Sequence, residues 1–432
     1  MVKSKRLAPR RMVVFGFIVV ILTGTALLML PVSSSTGKGI TFTDSLFMST
    51  SAVCVTGLAC IDPGTSLSVF GKIVLAVLIQ AGGLGITVIG VILIIAAGGR
   101  LSMGNQRLIK ESLNLNSGRD LSRVIAGVAY MTILFETAGA ALSYITFYRD
   151  YGALDAVGIS VFHSIASFNN AGFDILGDFR SLTDYNRDIW LCIVTSILII
   201  AGGIGFFVFS ELKEKKSFRR WSLHTKIVVT VTLFLIIAGT LLIKLSEGSG
   251  ASWLEAYFQS VSSRTAGFAT LPTGNMSNAG LLVLMVLMFI GASPGSTGGG
   301  IKTVTAFVIF KRIVSVILTR HCSAFRRNIS DQTVMKSFTV AAMALSVIIT
   351  AAFLMSLTEP DFSMQEIVFE VVSGFTTTGL SMGITPELCV LSKIVLVFTM
   401  FIGRLGPLTI ATIWLNRELS DVKYSEEDVM IG

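Results

Sequence analysis

Four short stretches of the sequence end alike: SAVCVTGL at 51–58, ASFNNAGF at 166–173, VSSRTAGF at 261–268 and SGFTTTGL at 373–380. Each carries a glycine, Gly57, Gly172, Gly267 or Gly379, followed by Leu or Phe, with an aromatic residue ten positions earlier (Phe47, Phe162, Tyr257, Phe369). None assembles a nucleophile, a base and an orienting group, so covalent catalysis has no foothold. What these stretches offer is backbone. Two or three residues ending in glycine can present carbonyl oxygens to a dehydrated cation, the chemistry of a K+ filter. Glycine permits it because φ above zero, or a crowded carbonyl orientation, is costly for any residue with a Cβ.

A second glycine-rich stretch, GASPGSTGGGIK at 291–302, packs five glycines and a proline into twelve positions of an otherwise apolar run. Interior glycine costs a helix about 1 kcal/mol and proline about 3, which predicts an irregular loop at membrane depth, tolerated where it lines a cavity. A packing kink is the alternative, although one proline would suffice for that. The segment imitates a phosphate-binding loop, but Ile301 separates Gly300 from Lys302 and no soluble strand precedes it. GGLGITVIG at 82–90 likewise misses the spacing of a dinucleotide fingerprint. Arg404 interrupts the apolar run VFTMFIGRLGPLTI, and an intramembrane cation marks function by default, a structural pairing with a buried carboxylate being the alternative. Arg264, three before Gly267, could not face a cation without repelling it; it is expected to turn outward and pair with Glu370, with Glu136 as second candidate.

The elements that position these residues lie in a membrane. Of 432 residues 52% are hydrophobic and 14% charged, mean hydropathy is +0.77, and glycines outnumber prolines 41 to 8, a balance no soluble domain of this size needs. Apolar runs long enough to span roughly 30 Å of hydrocarbon lie near 12–30, 69–97, 124–147, 189–210, 226–245, 281–310, 336–357 and 391–414. Lys and Arg concentrate in the N-terminal stretch and in the connections 99–123, 211–226 and 311–336, which places these and both termini on the cytoplasmic side. The net charge of +8 is then mostly topology, and no basic soluble domain for nucleic acid exists. Five cysteines without a C-x-x-C pair and three histidines suggest neither a disulfide framework nor a transition-metal site.

Aligned on their glycines, the four stretches carry the register into the following span, reaching Gly82, Gly202, Gly291 and Gly403. The expected fold is an all-α membrane protein: eight transmembrane helices as four pseudo-repeats of helix, re-entrant pore loop and helix around a central pore. The repeats occupy 11–98, 122–210, 226–312 and 333–417, followed by a cytoplasmic tail at 418–432. A half helix can enter a bilayer only if its end is buried in protein or lines water. Four such C-terminal ends, each worth roughly half a negative charge, favour a cation at the centre.

The fourfold unit, the D-x-x-F-x-x-x-S-A-V-x-V-T-G-L character of 44–58 and the RTAGF and TTTGL loops resemble the Trk, Ktr and HKT superfamily of potassium transporters, over about Arg11 to Arg417. The chain is most similar to the membrane subunit of bacterial Ktr systems. The resemblance implies a selectivity filter of Val55, Thr56 and Gly57; Asn170, Ala171 and Gly172; Thr265, Ala266 and Gly267; and Thr377, Thr378 and Gly379, with backbone carbonyls as K+ ligands. Asn169 and Asn170 depart most from the pattern, so fourfold symmetry is not assumed. In plant relatives a serine at the place of Gly57 accompanies Na+ permeation. The resemblance also implies a gating loop containing Gly291, Pro294, Gly295, Gly298, Gly299, Gly300 and Lys302, and a pore-facing Arg404 beside it.

The expected function is gated, K+-selective uptake into the cytoplasm, with dependence on Na+ left open, in a multi-pass protein of the bacterial inner membrane that needs no cofactor and is not an enzyme. The alternative is a Na+- or H+-coupled symporter with alternating access; repeats that all run outside to inside favour a pore over inverted repeats. With inner connections of roughly 10 to 25 residues and a short acidic tail, sensing falls to a partner. The resemblance implies a homodimer on a cytoplasmic, KtrA-like ring whose domains bind ATP or ADP, a ring that the basic inner clusters Arg219, Arg220, Arg326 and Arg327 would attract.

Overall fold

The structure is a computed structural model that describes residues 9–85 and 121–412. The N-terminal basic stretch before residue 9, the 86–97 part of the second apolar run, most of the 99–123 connection and the 418–432 tail lie outside the described residues.

Among the described residues the chain is mostly helical. Long helices α1 (Pro9–Leu28), α4 (Leu121–Asp150), α8 (Leu223–Glu247) and α12 (Asp331–Thr358) are each followed by a half-length helix: α2 (Phe42–Val53), α5 (Ala153–Phe168), α9 (Trp253–Ser262) and α13 (Met364–Thr376). The next elements are α3 (Val69–Leu84), α6 (Ile189–Ile204) with α7 (Phe206–Glu214), α10 (Asn278–Phe289) with α11 (Thr303–Ile317), and α14 (Val390–Leu405) with α15 (Pro407–Thr412). A two-stranded antiparallel ribbon, β1 (Ser323–Ala324) and β2 (Arg327–Asn328), follows α11. Its turn residues Phe325 and Arg326 are both left-handed, at φ 49° and 62°, as a tight hairpin of right-twisted strands requires.

The four long helices are apolar enough to cross a membrane, and only 22–33% of their most apolar windows is buried. The remainder exposes Leu233, Phe234, Ile237 and Ile349, among others, an outward apolar surface that suits lipid and would be untenable in water. The half helices are the reverse, buried over most of their length and above all toward their C-terminal ends. Their starts are written locally. Thr41 caps α2, while Ser252 with Glu255 and Ser363 with Glu366 form complete capping boxes on α9 and α13.

Long and half helices approach through small residues, as apolar surroundings favour. A Cβ on Gly24, Gly139 or Gly239 would collide with Ser49, Ser164 or Ser260. Those serines donate to the carbonyls of Ile21, Glu136 and Ile236 at 2.7, 2.7 and 3.0 Å. The last half helix has Val371 at the matching place and lacks this bond. Each half helix also packs on the helix preceding its own unit: α3 on α5, α6 on α9, α10 on α13, and α14 back on α2. Lys393 of α14 and Asp44 of α2 add an ion pair of 2.9 Å at that closure.

Two apolar runs expected as continuous spans are broken. The 189–210 run turns through 95° between α6 and α7, and the 391–414 run is interrupted between α14 and α15. The breaks fall at Gly205 (φ 96°) and Gly406 (φ 85°), a backbone region that L residues avoid. Hydropathy carried on through the breaks because the first residues after them, Phe206 to Phe209 and Leu408 to Ala411, are still largely apolar.

Candidate functional site: a glycine ring above an irregular loop

The half helices all end the same way. After each, one non-glycine residue turns left-handed, Val55, Asn170, Thr265 or Thr377, at φ 57°, 58°, 73° and 52°. Two residues later stand Gly57, Gly172, Gly267 and Gly379, also at positive φ. A non-glycine there costs of order 1–3 kcal/mol, so something must hold it. Thr56 N–H donates to Ser51 O at 2.8 Å, Ala171 to Ala166 O at 2.8 Å, Ala266 to Ser262 O at 2.9 Å and Thr378 to Ser373 O at 2.9 Å. The hydroxyls of Ser51 and Ser373 accept from the Gly57 and Gly379 amides at 3.1 and 3.0 Å. Each return segment is thus pinned to the last turn of its own helix, and the residues from 55, 170, 265 and 377 up to each glycine are fully buried.

The four glycines form a closed ring. A methyl group on Gly57 would strike the Ala171 carbonyl oxygen, on Gly172 that of Ala266, on Gly267 that of Thr378, and on Gly379 that of Thr56. The same hypothetical Cβ atoms lie 2.9–3.2 Å from the Cα of the next glycine in the cycle. Nothing larger than hydrogen fits, and four carbonyls sit where four segments meet. Above the ring lies a cavity of about 200 Å3 that includes all four glycines with Phe173, Asp174, Phe179, Ser181 and Thr385 in its lining. Burial, helped by the charge of Asp62, pushes the Asp174 carboxyl up to about 6 against the Leu176 amide that it accepts at 3.0 Å.

Beneath the ring runs the 290–302 loop, the irregular segment expected from its glycines. Gly298 lies against the Thr265 side chain and Gly299 against that of Thr377. Thr297 Oγ1 lies 3.3 Å from the Phe168 carbonyl and 3.5 Å from Asn170 Oδ1. The loop therefore touches three of the four left-handed residues from below. Gly291 N–H donates to Ile301 O at 2.9 Å, closing the loop's neck, and Pro294 and Gly295 face the α6–α7 bend. Gly300 takes φ 68° next to Gly291. Two cations bind the loop's carbonyls: Lys302 Nζ donates to Gly298 and Gly299 at 2.6 and 3.2 Å. Arg404 donates to the Thr297 carbonyl and, from the same guanidinium, to the Gly82 carbonyl of α3. Arg404 thus staples loop to wall, with no carboxylate partner among the described residues.

The expected pair of Arg264 and Glu370 does not form. Glu370 accepts from Ser381 Oγ, from the Met382 amide at 3.0 Å and from Thr385 Oγ1 at 3.0 Å. Arg264 turns back to Thr232 of α8 at 3.3 Å. Glu370's donors lie 11 to 15 residues along its own unit, so they reach it at little ordering cost, and Arg264 likewise turns to the long helix of its own unit. Glu136 is not its partner either. It accepts from Asn169 Nδ2 at 3.0 Å, and the same amide donates to Gln80 Oε1 at 2.8 Å. Gln80 was legible as a polar residue inside an apolar run, but nothing in the sequence told which unit it would meet.

The TrkH family, described as cation transport protein, matches this chain over residues 8–247 and 222–420. The potassium/sodium uptake protein NtpJ of Enterococcus hirae is 35% identical across 99% of this chain and 98% of its own. The Ktr system potassium uptake protein B of Bacillus subtilis is 35% identical across 100% of this chain and 98% of that protein. Its namesake in Vibrio alginolyticus is 36% identical across 98% and 94%. In fold the chain is similar to the crystal structure of the potassium transporter TrkH from Vibrio parahaemolyticus, with TM-score 0.73 at 18% identity over 96% of this chain and 86% of that one. Those relatives are transport proteins, and with its lipid-facing helices and full-length kinship the present chain belongs to the TrkH family of cation transport proteins, among its potassium uptake members.

Proposed function

We propose that this chain carries K+ into the bacterial cytoplasm through a central gated pore, built as eight spans in four pseudo-repeats of helix, re-entrant pore loop and helix. The observation that carries this reading is the closed ring in which each glycine faces the carbonyl of the next segment. Four carbonyl dipoles at one level can replace the hydration shell of a dehydrated cation, and four half-helix C-termini add negative potential at the same place. The filter is then Val55 to Gly57, Asn170 to Gly172, Thr265 to Gly267 and Thr377 to Gly379. The 290–302 loop is the gate, held shut by Lys302 and Arg404.

Both termini face the cytoplasm in this reading, and two copies sit on a ring of nucleotide-binding domains at the basic inner face. The kinship with Ktr system proteins supports a partnered membrane subunit. The test is flux into liposomes holding the purified chain. Uptake of K+ down its own gradient, with Na+ and H+ gradients absent, supports the pore; uptake that occurs only when a Na+ or H+ gradient is imposed supports coupled symport instead.

A further inference from the structure

The loop beneath the ring hangs from α7 as well as from Arg404. Beside the α6–α7 bend, Thr297 N–H donates to Gly202 O at 3.3 Å, Ser293 N–H to Gly203 O at 3.0 Å, and Phe206 N–H to Gly295 O at 3.1 Å. Gly205 is pressed so close that a Cβ would lie 2.8 Å from the Pro294 carbonyl. Two residues on, the Phe207 ring packs so close to Gly295 that a Cβ there would meet it at 3.1 Å. This is a strand-like seam of backbone between the loop and a helix bend: Gly202 and Gly203 on its one side belong to α6, while the Phe206 bond to Gly295 and the Phe207 contact belong to α7 and move when α7 moves.

The inner end of α7 is clasped as firmly. Glu211 is 8% exposed and accepts from Lys215 Nζ at 2.7 Å, the Ser222 amide at 2.9 Å and the Ser222 hydroxyl at 2.6 Å. Thr225 Oγ1 of α8 donates to it as well. Charge-assisted bonds of this kind are roughly twice as strong as neutral ones. Burial pushes the carboxyl up, but these bonds outweigh it and hold it at about 2. The 215–222 connection that the clasp closes is itself ordered by Trp221 Nε1, which donates to Lys215 O at 2.7 Å. Phe218 lies across it, its ring 5.2 Å from Trp221 and 5.9 Å from Phe325 in the ribbon. That ribbon follows α11, the helix that begins where the loop ends.

From this geometry we infer that α7 is the lever of the gate: Phe207 and Glu211 are positioning residues that hold the loop closed, and displacement of the 215–222 connection by a cytoplasmic partner releases it. This rests on the reading of 290–302 as a gate. One helix joins an inner connection that a partner can reach to the segment lying under the ring, and the Phe218 to Phe325 contact ties the same connection to the far side of the loop.

The experiment is basal K+ flux in liposomes of the full chain, with Phe207→Ala, Phe207→Leu and Glu211→Gln each made in the intact protein and in one lacking Gly298 and Gly299. Phe207→Ala and Glu211→Gln should each raise flux about three- to tenfold, with K+ over Na+ preference unchanged, while Phe207→Leu stays near the parent. In the shortened chain neither substitution should add anything, because sites acting through one element are not additive. Ser222→Ala, which removes one donor and keeps the charge, serves as the milder clasp variant if Glu211→Gln does not fold, with an increase expected in the same direction. No change in the intact chain, gains that multiply with those of shortening, or a shift in ion preference would each overturn the lever. Unchanged flux on shortening alone would instead remove the gate, and the lever with it.

Discussion

The glycine ring and the loop below it are built from the same residue types, yet they are held in opposite ways. Each ring segment is pinned within six residues of chain by amides returning to its own half helix. The loop's neck is local, but its body bonds elsewhere: to Gly202 and Gly203 of α6, to the α7 bend, and to Arg404 of α14. A segment fixed by its own helix keeps its geometry when neighbours shift. A segment fixed by three neighbours follows them. In the proposed reading, rigid selection and movable closure therefore sit one layer apart, the first insulated from motions that work the second.

That contrast can be broken from either side. The largest effect is expected for Gly267→Ala. The methyl meets the Thr378 carbonyl and a backbone at φ 80°, a strain of about 1–3 kcal/mol before the clash is counted, and K+ uptake should fall below detection in protein that still elutes as folded. Deleting Gly298 and Gly299 should do the reverse, raising basal flux roughly tenfold, which corresponds to about 1.4 kcal/mol removed from closure. A folded deletion variant with lower flux would make the loop structural. Arg404→Gln should act in the same direction by about threefold, because Lys302 still holds Gly298 and Gly299.

The smallest effect concerns the outer mouth. Asp174 titrates near 6, above its ordinary 3.8, so its charge beside the ring is present above that pH and lost as external pH falls through it. The sign for stability runs the same way: the folded state favours the neutral acid, and the penalty for ionising it is complete only above 6. K+ uptake at low external K+ should drop about twofold between pH 7 and 5, and Asp174→Asn should be uniformly lower and flat across that range. A parent chain with no pH dependence there would separate Asp174 from the entry path.

Much of this site was legible in the sequence for a simple reason: glycine and proline cost helices so much that they mark irregular backbone wherever they cluster. The ring glycines and the 291–302 break follow from that alone. The left-handed residues Val55, Asn170, Thr265 and Thr377 could not be read, since valine and threonine disfavour that conformation and only the return hydrogen bonds impose it. Partners across units were equally hidden. Arg264 and Glu370 were matched by charge, and the structure satisfied Glu370 with hydroxyls and an amide close by in the chain. The clasp at Glu211 looked like an ordinary charged connection because i,i+4 pairing with Lys215 explains only one of its four donors.

The central claim is that the ring selects K+, and Gly57→Ser tests it most directly. Gly57 sits at φ 96° with the Ala171 carbonyl against its open face, so a serine must displace the carbonyl that would face the ion. The measurement is the K+ to Na+ permeability ratio of liposomes holding the parent or the Gly57→Ser chain. A loss of about 1.4 kcal/mol in differential binding predicts a ratio roughly tenfold lower with K+ flux still measurable; a ratio equal to the parent's in folded, conducting protein would contradict the account.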